Sequence, residues 1–160
     1  MESLKFTCQP IKYPKLRVAG LASVESAKFG MVRNNGTRPH QGIDLEAPIN
    51  YRVYAVEDGE VVVKRDYGAH GLQLCIRMDV SNELNGLYAF YSHLNRADVE
   101  VGDKVKACDV IGLTGDSGNA KGMNTVSKGS HLHFEIRTKI WAGYGLGNRK
   151  DPLPYINLIE

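Results

Sequence analysis

Apolar side chains in this chain recur at every second position over short stretches and hardly anywhere at helical spacing. Leu72, Leu74, Ile76 and Met78 alternate with Gln73, Cys75 and Arg77, the pattern of a half-buried strand. Arg52–Val56, Glu60–Arg65 with its three consecutive valines, the aromatic Gly86–His93, Val110–Leu113 and the alternating His131–Arg137 read the same way. Turn chemistry separates these runs at Tyr67-Gly68, Asn85-Gly86, Val101-Gly102-Asp103 and Gly115-Asp116-Ser117-Gly118. The best helical candidate is one turn near Ser23–Phe29. The chain is therefore expected to be mainly all-β, a small antiparallel sheet or sandwich with few short helices.

At 160 residues, 42% hydrophobic and 24% charged, the chain is long enough to bury a core and is not of disordered composition. The net charge is +2 with scattered basic residues, and no basic stripe or phosphate-cradling glycine loop marks a nucleic-acid binder. Residues 1–26 read as an N-terminal extension and 27–160 as the domain, closed by a tail holding Pro152 and Pro154. The polar stretch Asn119–Ser130 reads as a loop, and with Arg33–Pro39 it is expected to wall a cleft. No window approaches a membrane span, and the N-terminus carries no stretch resembling a signal peptide. Cys8, Cys75 and Cys108 form no Cys-x-x-Cys pair. Their simplest reading is buried, small and apolar, with one disulfide still allowed.

Chemistry is concentrated in the histidines at 40, 70, 93, 131 and 133. On a strand, His131 and His133 share a face with Glu135 and Arg137, while Leu132, Phe134 and Ile136 point the other way. Two adjacent imidazoles suit a site in which one ligates a metal and the other handles protons. A pair of solvated strand histidines accounts for them equally well. His40 and Asp44, with Gly42 between, converge on a cation if the backbone bends, though a turn histidine and a capping aspartate fit too. His93 ends an aromatic strand, where a polar cap is the commoner role. His70 lies in a glycine turn and reads as a surface residue. Glu135 is either an outer-shell acceptor for a ligand histidine or a solvated partner of Arg137.

Taken together and in order, HQGIDLEAP, YSHLN, VGDKVKACDVIGLTGDSG and GSHLHFEIR resemble the lysostaphin/LytM-type zinc endopeptidases. Phe29-Gly30, Val53-Tyr54-Ala55 with Gly59, and Asp151-Pro152-Leu153 extend the likeness from about Phe29 to Tyr155. The resemblance implies a LytM-like fold of the duplicated hybrid-motif type and Zn2+ held by His40, Asp44 and His133. It implies catalytic roles for His93 and His131 and a peptidoglycan peptide as substrate, cut in the stem or the cross-bridge. Such an enzyme acts in the periplasm or extracellular cell wall. Without a signal peptide, the implied contexts are a trimmed export sequence, phage lysis, or a secreted antibacterial effector that needs an immunity or inhibitor protein.

Two departures from that pattern stand out. No tyrosine precedes His40 in Arg33–Pro39, where some relatives carry an oxyanion donor, and Cys108 occupies a turn position usually held by glycine. Two rival readings remain. One is a non-catalytic wall-binding or amidase-activating module of the same fold, although such relatives have lost ligands that stand here. The other is a lipoyl-like or phosphoryl carrier suggested by Val56–Gly115, which has no need of Asp44 beside His40.

Overall fold

The computed structural model describes residues 4–159. The first three residues of the expected extension and the last residue of the chain lie outside the described residues. The strands are β1 (Gly30–Arg33), β2 (Arg38–His40), β3 (Ile43–Glu46), β4 (Arg52–Tyr54), β5 (Gly59–Tyr67) and β6 (Gly71–Met78). They continue as β7 (Tyr88–Ala97), β8 (Lys104–Val105), β9 (Val110–Thr114), β10 (His131–Arg137) and β11 (Arg149–Lys150). Helical structure among the described residues is confined to short 3-10 turns, one of them Val24–Ala27 inside the expected Ser23–Phe29.

The mainly β, antiparallel architecture read from the alternation is what the chain adopts. β1 and β2 form a two-stranded ribbon, and the other nine strands form one sheet along the path β11-β10-β7-β6-β5-β8. β3 adds to β10, β9 to β7 and β4 to β9, every pair antiparallel. The expected strands recur with shifted ends: β5 extends to Tyr67 and β7 runs on to Ala97. Missing from the sequence reading were β1, β2, β3, β8 and β11, each two to four residues long and too short to display a period.

The core lies between Leu132, Phe134 and Ile136 of β10 and apolar side chains such as Ile43, Leu45, Tyr91 and Ile111. β10 is held between β3 and β7, with His133 opposite both Asp44 and Ser92. All seven of its residues are buried, so its polar face is enclosed as well as its apolar one.

Residues 4–26 share this core. Phe6, Ile11 and Leu16 are buried in it, each contributing about 1.5–3 kcal/mol of apolar burial. The strap is also pinned by backbone. Leu16 bridges Leu45, Arg17 N–H donates to Asp44 O at 3.0 Å, and Glu46 N–H donates to Lys15 O at 2.7 Å. Cys8 and Cys108 are joined in a disulfide, which corrects the reading of both as simple apolar side chains. Cys108 has φ +75°, a left-handed conformation that explains why glycine suits this turn. Cys75 stays a buried thiol, pushed up to about 12 by burial.

Candidate metal centre

The β3–β10 register sets Asp44 and His133 directly opposite each other, which places their side chains on one face. His40 arrives from the end of β2, and the chain then passes so close over β10 that a Cβ on Gly42 would collide with the Phe134 carbonyl. Glycine between the histidine and the aspartate is thus a steric requirement of the bend. The result is convergence. Asp44 Oδ1 lies 3.0 Å from His40 Nε2 and 3.0 Å from His133 Nδ1, and the three atoms that could ligate a metal fall within 4.8 Å of one another.

The second nitrogen of each imidazole is occupied. His40 Nδ1 meets Lys28 O at 2.9 Å, and His133 Nε2 meets Glu135 Oε2 at 2.7 Å. Both partners only accept, so those nitrogens carry the protons and the lone pairs of Nε2 and Nδ1 face Asp44. Three acceptors aimed at one point repel unless a cation sits among them, and two imidazoles with a carboxylate suit zinc. In the metal-free chain a proton takes that place. Burial would lower His133, but its bonds to Asp44 and Glu135 outweigh burial and raise it to about 9. Burial would likewise raise Asp44, yet its electrostatic coupling to His131 beside it and its bonds with His133 and His40 hold it well below the usual carboxylate range.

Asp44 Oδ2 faces away from His40 and His133 toward Arg17 Nη1 at 3.2 Å and Arg33 Nη2 at 2.8 Å. Arg17 is buried and comes from the N-terminal strap; nothing in the sequence signalled it. Glu135 is fully buried and not the solvated partner of Arg137 that the sequence allowed. Its Oε1 accepts from Arg137 Nε at 2.8 Å and Arg149 Nε at 2.7 Å while Oε2 orients His133. Burial would raise its carboxyl, but His133 and the two arginines drive it far down.

His131 and His93 stand beside the convergence point. His131 Nε2 is 3.7 Å from Asp44 Oδ2, and the two rings meet edge to face at 5.1 Å. Backbone carbonyls fix both tautomers: His131 Nδ1 donates to Gly129 O at 2.7 Å and His93 Nδ1 to Ser117 O at 2.8 Å. Burial lowers both, His93 to about 3 with help from His131, so both rings are neutral and hold a free Nε2 lone pair at pH 7. His93 adopts φ +59° within β7, where the pairing slips, and that kink turns its ring toward the site. His70, expected at the surface, instead lines the cleft. It stacks on His133 at 5.5 Å, and burial lowers it to about 4.

The five histidines open onto one cleft of about 650 Å³. Asn119 and Met123 wall one side and Arg33, Asn34 and Arg38 another, as the loop reading expected, while Arg17, Gly20, Leu21 and Ala22 of the strap and Tyr144 close it further.

Residues 38–149, which hold the whole convergence, match the model of peptidase family M23. The chain belongs to peptidase family M23. It is 36% identical over 99 residues to the peptidoglycan DD-endopeptidase ShyB of Vibrio cholerae, covering 61% of this chain and 20% of that protein. It is 31% identical over 120 residues to the glycyl-glycine endopeptidase ALE-1 of Staphylococcus capitis, covering 73% and 29%. Among solved structures, a zinc-containing peptidase from Vibrio cholerae superposes with a TM-score of 0.63 at 25% identity, covering 98% of this chain and 41% of that one. The chain thus spans under a third of the length of these curated M23 relatives. The M23 match begins at residue 38, so Arg17 and Arg33, the two cations on Asp44, lie outside it.

Proposed function

We propose that this chain is a zinc-dependent endopeptidase of bacterial peptidoglycan, with His40, Asp44 and His133 holding the metal and His93 and His131 handling protons. The observation that carries this reading is the convergence of three acceptor atoms whose partner nitrogens are already spent on Lys28 O and Glu135. Membership of family M23 and the zinc in a solved relative support it. Both curated relatives cited are named as endopeptidases, one of peptidoglycan, which supports the substrate class. An intact ligand set counts against the non-catalytic module.

When bound, zinc supplies a Lewis acid that polarises the scissile carbonyl and acidifies water. The remaining work falls to side chains. A neutral imidazole with a free Nε2, at His131 or His93, takes the proton of the attacking water and returns it to the departing amine. While it carries that proton, the same ring is an imidazolium that donates a hydrogen bond to the carbonyl oxygen as negative charge builds there, and the second ring stays its neutral neighbour. Burial lowers both rings, His93 to about 3, which favours their unprotonated forms. Glu135 and Lys28 O hold the ligand rings in the tautomers that ligation needs.

No described helix is long and apolar enough to cross a membrane. The Cys8–Cys108 bridge is of a kind that persists in oxidising compartments, which supports action outside the cytoplasm, at the wall. The test is mass spectrometry of fragments released from purified peptidoglycan, with zinc content measured in parallel. The zinc-loaded protein should release peptides, a chelator should stop it and added zinc restore it. Asp44→Ala and His133→Ala should lose zinc and activity together. A folded protein that binds no zinc and releases nothing, or controls as active as the parent, would overturn the reading.

A further inference from the structure

The ladder between β1 and β2 pairs Arg33 directly with Arg38, and both line the cleft. Like charges opposite each other on a ladder repel and destabilise the pair. Nothing in the cleft wall compensates them fully. Among the described residues lining the cleft the cations are Arg17, Arg33 and Arg38, and the sole carboxylate is Asp44. Asp44 is already shared between Arg17 and Arg33 on one oxygen and the ligand histidines on the other.

The guanidinium inventory shows what is left over. Arg33 spends Nε on Ser26 O at 3.0 Å and Nη2 on Asp44, and among the described residues its Nη1 has no hydrogen-bond acceptor. Arg38 is exposed, and no described residue accepts a hydrogen bond or forms an ion pair with its guanidinium. A zinc ion would add further positive charge. Such a cleft concentrates anions, and planar guanidinium forks suit carboxylates in particular.

We infer that Arg33 and Arg38 form a carboxylate clamp, and that the substrate is an acidic stem peptide with a free carboxylate near the bond cut, not a neutral glycine bridge. This rests on the proposed endopeptidase reading and narrows it. Arg33 also positions Asp44, so its two functions are coupled, whereas Arg38 touches no ligand. Arg38 is therefore the residue that separates recognition from metal binding.

The test uses two cross-linked stem peptides, identical except that one carries the free carboxylate and the other its carboxamide, cut by the zinc-loaded chain. The acid should be preferred by about tenfold or more in kcat/KM, and added salt should shrink that ratio. Arg38→Gln should bring the ratio to within about twofold of one at parental zinc content, and Arg38→Glu should invert it. Equal cutting of both peptides by the parent, or full preference retained in Arg38→Gln, overturns the clamp while leaving the endopeptidase reading intact. If the zinc-loaded chain cuts neither peptide nor whole peptidoglycan, the enzymatic reading fails and the clamp with it.

Discussion

Arg17 Nη1 lies 3.2 Å from Asp44 Oδ2, so the N-terminal strap reaches the carboxylate whose other oxygen faces His40 and His133. Both side chains are buried, and Arg17 is further fixed by its Nε–H bond to Ala19 O at 2.9 Å. Arg17→Met keeps the packing volume and removes the charge, leaving Asp44 with Arg33 alone. The expected cost is about 1–3 kcal/mol in urea denaturation, since a buried acceptor loses one of its donors. Zinc affinity, measured by competition with a chromogenic chelator, should weaken roughly 10–100-fold as Asp44 gains freedom. Parental zinc affinity in this variant would mean that Asp44 is oriented without the strap.

Glu135 answers three donors at once, namely His133, Arg137 and Arg149. Glu135→Gln retains an acceptor for His133 Nε2–H but leaves two arginines without their counter-charge. Breaking a buried ionic cluster from one side costs about 3–5 kcal/mol, which thermal or urea unfolding would register. Glu135→Leu also removes the acceptor, so it should lose more zinc affinity than Glu135→Gln. Equal zinc affinities in the two variants would show that the hydrogen bond to His133 does not tune the ligand.

How legible the site was depended on how local each contact is. His131, His133 and Glu135 could be placed on one face because strand alternation is a property of adjacent residues. His40 and Asp44 were legible only as members of an ordered set of motifs, because the bend at Gly42 depends on the Phe134 carbonyl far along the chain. Arg17 carried no signal at all, since its role appears only once Leu16 bridges Leu45 and docks the strap. His70 misled because a glycine turn reads as exposed, yet this turn folds back until the ring meets His133. Cys108 was half legible: the departure from glycine was visible, the partner at Cys8 was not.

Stability should fall with acid because His93 is buried as the neutral ring. Burial chiefly, then His131, depresses it to about 3, against about 6.5 in an unfolded chain. A histidine depressed in the fold contributes stability that is present above pH 6.5 and lost progressively as pH falls toward 3, on the order of a few kcal/mol in all. His70, lowered to about 4 by burial, acts in the same sense. Asp44 and Glu135 are also depressed, but their contributions are lost only below the ordinary carboxylate range, so the interval from pH 6.5 to 5 isolates the histidines. Urea midpoints in that interval should decline for the parent and decline less for His93→Gln. In the metal-free protein His133 works oppositely. Raised to about 9, it adds stability below pH 6.5 that is lost as pH climbs through 9. Parallel pH profiles for parent and His93→Gln would sink the assignment.

The bridge from Cys8 to Cys108 closes a loop of 100 residues, for which chain entropy gives an upper bound of about 4–5 kcal/mol. The same residue sits at φ +75°, which costs a non-glycine side chain about 1–2 kcal/mol. The two effects oppose each other and can be separated by choice of substitution. Cys108→Ser loses the bridge and keeps the strained turn, so it should be destabilised by about 2–4 kcal/mol. Cys108→Gly loses the bridge but relaxes the turn, and should recover about 1 kcal/mol of that loss. Both should make the strap around Cys8 more open to limited proteolysis, since what then holds it there is noncovalent, including the Cys8 N–H bond to Val56 O at 3.1 Å, the Thr7 bonds to Glu57 at 2.6 and 2.7 Å, the Phe6 N–H bond to Tyr155 O at 3.1 Å and the burial of Phe6 and Ile11. Since the strap also carries Arg17 to Asp44, a loosened strap should bind zinc more weakly even though no ligand has changed. Identical urea midpoints for the serine and glycine variants would remove the conformational cost, and unaltered zinc affinity in both would uncouple the bridge from the metal centre.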